Sequence, residues 1–122
     1  MKYALLLTNS QEDRERWKSM AEDEAQAARA AEAPKWNALF GELGASGKLV
    51  AGNELDDPET AKTVRVRDGQ PVVTDGPFAE TKEQIGGLMV VEADDLDEAI
   101  SIAVRIPVVE RASVEIRPLV VG

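Results

Sequence analysis

Leu88-Met89-Val90-Val91-Glu92-Ala93-Asp94-Asp95-Leu96-Asp97-Glu98-Ala99-Ile100-Ser101-Ile102-Ala103 (residues 88–103) changes periodicity part-way along. Leu88 to Val91 is a short run apolar on both faces, which reads as a buried strand. Asp94 or Asp95 then supplies a helix N-cap, and Leu96, Ala99, Ile100 and Ala103 recur at helical spacing as the stripe of a helix. Pro107 forbids its continuation. From Ser113 to Val120, Val114 and Ile116 alternate with Glu115 and Arg117, a strand. This half of the chain is therefore β-α-β.

The other half repeats the order. Residues 2–8, with Leu5-Leu6-Leu7 at their centre and Asn9-Ser10 behind them, form a first strand. Gln11 to Ala33 is rich in Ala, Glu, Gln, Arg and Lys, with Trp17, Met20, Ala21, Ala25 and Ala28 at helical spacing. Pro34 suits the first turn of a second helical segment, whose stripe is Trp36, Leu39, Phe40 and Leu43, ending at Gly44 and Gly47. Pattern alone leaves open whether these are one kinked helix or two. Lys48 to Leu55 reads as a strand, broken by Asp56-Asp57-Pro58. Thr63 to Arg67 alternates, and Asp68-Gly69 turns it tightly into Pro71 to Thr74.

The order expected is β-α-β-β-β-α-β, the ferredoxin-like ground plan with one added short strand. The fold class is α+β: an antiparallel sheet with its helices on one face. One domain over residues 1–122 is expected, because a chain of that length can bury one real core. In such a sheet the face away from the helices is bare. Leu5-Leu6-Leu7 and Leu88 to Val91 put large apolar groups on both faces, so a cover is required. A second copy of the same sheet is the simplest one, giving a homodimer and a dimeric α+β barrel.

Composition prunes the chemistry. Fourteen Lys and Arg against twenty-three Asp and Glu leave a net charge of −9, which repels phosphate backbones and anionic lipid, so neither nucleic acid nor membrane is an expected partner. The chain has no Cys and no His. Disulfides, thiolate sites and the commonest metal ligand are thereby removed, and no metal or cofactor is expected. The apolar run after Met1-Lys2 is too short to span a membrane, and a cytoplasmic location is expected.

Thr74-Asp75-Gly76-Pro77-Phe78-Ala79-Glu80-Thr81-Lys82-Glu83, followed by Gly86-Gly87, resembles the signature of the DGPF family, a branch of the YCII-related proteins. The likeness continues in Thr63-Val64-Arg65-Val66-Arg67-Asp68-Gly69 and in Val114-Glu115-Ile116-Arg117-Pro118, leaving only Gln11 to Ala38 without family features. The resemblance implies the same dimeric barrel. It also implies acid–base chemistry built on an Asp–His pair in the wider group, of which this chain lacks the His. Family members encoded beside extracytoplasmic-function sigma factors imply an accessory or regulatory setting, with a sigma factor or another protein as partner.

The motif has two readings. In one it is turn chemistry: Asp75 bonds backbone amides of its own turn, Gly76 takes a conformation closed to other residues, Pro77 stiffens the loop and Phe78 pins it to the core. In the other, Asp75, Glu80 and Lys82 are catalytic groups lining a pocket, and Arg65, Arg67, Phe78 and Arg117 bind a small anionic ligand there. The arginines have a plainer role as cross-strand ion pairs, with Arg117 on a strand neighbouring that of Arg65 and Arg67. A carboxylate acting as general acid in this pocket must be substantially buried. Three function classes follow: a YCII-related dimer that binds or acts on a small molecule near the DGPF loop, a non-enzymatic accessory protein, and a purely structural dimer.

Overall fold

The computed structural model describes residues 1–121. Its elements run β1 (Lys2–Ser10), α1 (Gln11–Ser19), α2 (Glu22–Ala45), β2 (Leu49–Glu54), β3 (Lys62–Arg67), β4 (Gln70–Asp75), β5 (Glu83–Glu92), α3 (Leu96–Ala103) and β6 (Val114–Pro118), with 3₁₀ turns at Pro58–Thr60 and Pro107–Glu110. Four strands make one antiparallel sheet in the order β2-β5-β1-β6. That is the ferredoxin-like arrangement, with the two β-α-β halves interleaved.

The hairpin β3–β4 is a separate two-stranded sheet. The insertion is thus the two hairpin strands read from Thr63 to Arg67 and Pro71 to Thr74, and they stand outside the main sheet; the expected order, with one added strand, counted one too few. Because β3 and β6 lie in different sheets, Arg117 does not neighbour the strand of Arg65 and Arg67.

The helical region is divided at a different point from the one Pro34 suggests. α2 runs through Pro34 without ending, and the break falls at Met20 and Ala21, both extended. Glu22, Asp23 and Glu24 open α2, where carboxylates favour the exposed amide end of a helix. Pro34 is exposed, so water can serve the carbonyl it leaves without a partner.

The core lies between the helices and one sheet face. Leu5, Leu39, Met89, Val91, Ala99 and Ile106 are its fully buried or nearly buried members. Leu5 faces Met89 and Tyr3 faces Val91 across the central strand pair, and Leu39 and Leu43 of α2 close over them. α3 is rotated from its expected stripe: Ala99, Ile102 and Ala103 are buried, whereas Leu96 and Ile100 stand exposed. On the opposite sheet face Leu6 is paired with Leu88 and Ala4 with Val90; Leu88 is exposed there, and among the described residues no helix covers this face.

Asp68 and Gly69 both adopt positive φ, 52° and 75°, the backbone of a two-residue turn that only small or Asx-type residues tolerate well. Gly69→Val should cost the hairpin about 1 kcal/mol or more. Since the hairpin is its own sheet, the loss should register as several-fold faster amide exchange along β3 and β4, with β1 and β5 unaffected. Unchanged exchange in the hairpin would contradict the turn assignment.

Candidate functional site

The sheet and the helices part company at the end of β1. Pairing of β1 with β5 slips between Leu7 and Thr8, where Leu7 meets Gly87 and Thr8 meets Ile85, so Gly86 is the extra residue of a bulge. Asn9 emerges there, and a Cβ on residue 86 would stand 2.5 Å from its Nδ2. Glycine at position 86 is what lets the Asn9 side chain occupy this place.

Two hollows open around this point. The larger, of about 910 Å³, lies between sheet and helices, with Trp17, Trp36, Phe40 and Met89 among its apolar walls and Asn9, Asn37, Asn53, Arg14 and Arg29 among its polar ones. Trp36 and Phe40 stack at 5.7 Å between centroids, and the Trp36 indole donates to Glu32 at 2.9 Å. Arg16 and Arg29 each place a guanidinium over the Trp17 ring. Arg111 ties the layers together by reaching Asp13 at 3.4 Å and Glu32 at 3.1 Å.

The smaller hollow, of about 610 Å³, lies beside the DGPF loop and includes Asp75, Glu80 and Lys82 in its lining. Arg14, Lys18, Asp57 and Pro58 line both hollows, so the two form one groove with a waist. Across the waist, Lys18 of α1 bonds Glu59 at 3.1 Å and approaches Asp57 at 3.4 Å. Asp57 also caps the 3₁₀ turn by accepting from the Glu59 amide at 2.9 Å. The DGPF loop is held to α1 through the Gln11 amide, which donates to the Lys82 carbonyl. Gln84 closes the loop by donating to the carbonyl of Ala79 at 3.0 Å, and the Thr81 hydroxyl donates to the Glu83 carbonyl. Thr81 therefore has a structural task in closing the loop.

The structure brings Asp75, Glu80 and Lys82 to one hollow and leaves all three exposed. Asp75 is 87% exposed and pairs with Lys62 on the facing strand, not with amides of its own turn. Gly76 takes φ 91° as the turn requires. Phe78 is 81% exposed and so does not pin the loop to this chain's core. Arg65, Arg67, Phe78 and Arg117 line neither hollow. Arg65 and Arg67 lie on the hairpin, and Arg117 pairs with Glu115 at 3.2 Å on the uncovered sheet face. Among the described residues no acidic cluster is arranged to hold a metal ion.

Asn9, Arg14, Lys18 and Asp57, which shape the groove, were not marked by sequence reasoning. The usable signal was Gly86, a glycine inside a strand, which marks a bulge or a close approach.

The YCII-related domain matches residues 1–121. The chain belongs to the YCII-related family. The chain is similar in sequence to an uncharacterized protein of Rhizobium meliloti (strain 1021), 36% identical over 104 residues, a span of 84% of this chain and 77% of that protein. Among solved structures the fold is similar to that of 5-chloro-2-hydroxyhydroquinone dehydrochlorinase from Burkholderia phenoliruptrix AC1100, in complex with 2,5-dihydroxybenzoquinone. That likeness has a TM-score of 0.51 at 15% identity and covers 100% of this chain and 96% of the other. At that identity it shows a shared fold.

In this YCII-related chain the waist has a defined pH window. The Glu59 amide, and after it Lys18, hold the Asp57 carboxyl below its ordinary value, while Glu59 foremost raises Lys18. A depressed carboxyl contributes stability above its unfolded value and loses it as pH falls through the folded one; a raised lysine contributes below its unfolded value and loses it as pH rises through the folded one. The waist should stay closed between about pH 4 and pH 10. Acidification below that range should move the Trp17 indole resonance, and a Trp17 signal constant down to unfolding would contradict it.

Proposed function

We propose that this YCII-related chain works as a homodimer that binds a small organic molecule in the groove running from the interlayer cleft to the DGPF loop. The observation that carries the reading is the groove itself. Its larger part falls within the roughly 300–1,000 Å³ typical of small-molecule sites, and it combines aromatic walls with a few convergent amides and cations. Asp75, Glu80 and Lys82 supply the charges of its outer mouth. Neither carboxylate is buried within one chain, so the reading is one of binding, with proton transfer by these groups left to a setting that buries them.

The dimer reading rests on the uncovered sheet face. Leu6, Leu88 and Val90 form an apolar centre there, bordered by Glu115 and Arg117. A second copy of the face would cover it and place Arg117 inside the resulting barrel. The hairpin supports the same reading, because a two-stranded sheet is marginal alone, and Val64, Val66 and Val73 are exposed on one of its faces.

Sedimentation at micromolar concentration should show a dimer burying more than about 1,000 Å² in total, and Leu88→Glu should convert it to monomer. A wild-type monomer would remove this part of the reading. A thermal-shift screen of small organic compounds should find ligands that raise the melting temperature, as any molecule binding only the folded state must. Asp75→Asn should weaken those that reach the outer mouth. If every ligand keeps its affinity for the folded variant, Asp75 serves only the Lys62 pair and the turn.

A further inference from the structure

We infer that the groove is built for a planar aromatic carboxylate, anchored by Arg14 with its ring against the Trp36–Phe40 slab. This rests on the small-molecule reading above and names the ligand class. Arg14 is half-buried and lines both hollows. Its Nη1 donates to the Asn9 carbonyl at 2.9 Å and to Asn9 Oδ1 at 2.8 Å. Two neutral oxygens therefore fix the guanidinium plane without cancelling its charge. Among the described residues the Nε and Nη2 N–H groups bond no acceptor, and that is the edge through which arginine grips a carboxylate with two parallel bonds.

The acids nearby are otherwise engaged. Asp13 is held by Arg16 and Arg111, and Glu32 by Arg111 and the Trp36 indole. Asp57 is held by Lys18 and the Glu59 amide, and Asp56 accepts from the Asp57 amide. Of the charged groups lining the larger hollow, Arg14, Arg29, Glu54 and Asp56 have no ion pair among the described residues, and of the two cations Arg14 is the one whose plane is fixed by neutral oxygens. In a chain of net charge −9, an anionic ligand gains nothing from the overall field, so a dedicated cation is needed to hold it. Trp36 and Phe40 present stacked rings in the same hollow, a surface that favours a flat conjugated ring over a puckered one. Without the space Gly86 leaves, Asn9 could not take the position from which it orients Arg14. Asn9 is thus a positioning residue and Arg14 the ligand-binding one.

The test compares benzoate with benzamide, which lacks the charge, and with cyclohexanecarboxylate, which lacks the flat ring. The full chain holds two tryptophans, so indole N–H resonances and the Arg14 Nε–H resonance give a direct readout. Benzoate at millimolar concentration should shift both Arg14 Nε–H and the Trp36 indole, and bind at least about tenfold more tightly than either analogue. Arg14→Lys keeps the charge and loses the fork, and should weaken benzoate by about tenfold while benzamide is unaffected. Asn9→Ala should give a smaller loss with the same selectivity. Equal binding of benzoate and benzamide to the wild-type protein overturns the inference whatever the variants do. So does benzoate binding that leaves Arg14 Nε–H unmoved, or that survives Arg14→Lys in a protein melting like wild type. If neutral compounds from the thermal-shift screen bind and benzoate does not, the ligand class is wrong while the groove reading stands; if nothing binds, both fail.

Discussion

The pairing of β1 with β5 is the constraint on which the rest of the molecule depends. These are the two central strands, and along most of their length they are in regular register, with Leu5 against Met89 and Tyr3 against Val91 facing the helices. Leu39 and Leu43 can close over that surface because it is continuous and apolar. The register slips once, at Gly86, and beyond that slip the sheet no longer offers an apolar floor. The bulge therefore divides the molecule into a packed end and an open end. A single extra residue without a side chain brings Asn9 to the surface of the opening and gives the groove its polar corner.

The open end is organised by charge. α1 buries no residue, so it is held in place by its cap on Ser10, by the Gln11 amide on the DGPF loop and by ion pairs from Asp13 and Lys18. Exposed pairs of this kind each contribute little, and α1 is the least firmly packed of the helices. That is compatible with a binding groove, since elements bordering a ligand commonly come from the less stable parts of a fold. The DGPF loop gains its shape from the same economy. Gly76 turns the chain, Thr81 and Gln84 close it, and Asp75 joins it to β3 through Lys62.

The hairpin and the outer sheet face share one physical condition. Each presents apolar side chains without a partner among the described residues, and the hairpin reaches the groove only through Asp75 at the end of β4. Burial elsewhere has been spent on the helix side of the sheet, where every buried side-chain polar atom among the described residues has a partner. Apolar groups left exposed are found on the hairpin and the outer face, and also at Leu96 and Ile100 of α3. Function in a domain of this size is expected at such places.

The sequence by itself determined the class of fold. The strands of residues 2–8 and 88–91, the helix capped at Asp94 or Asp95, the Asp68-Gly69 hairpin and the Leu39 and Leu43 core positions were legible because each depends on neighbours a few residues away: a periodicity, a cap, a turn. Helix phase was less legible, and α3 turned to bury Ile102 rather than Leu96, since the side that faces inward is set by the sheet and not by the helix. The break at Met20 instead of Pro34 has the same origin: an exposed proline is tolerated where water can serve the freed carbonyl. The motif brought Asp75, Glu80 and Lys82 to notice, and they do share a hollow. Only the tertiary structure decided that Arg14, Asn9 and the Trp36–Phe40 pair meet around a second, larger one. Residues 9, 14, 36, 40 and 86 come from four separate elements, β1, α1, α2 and β5, and their approach depends on strand register and layer spacing, which no local pattern encodes.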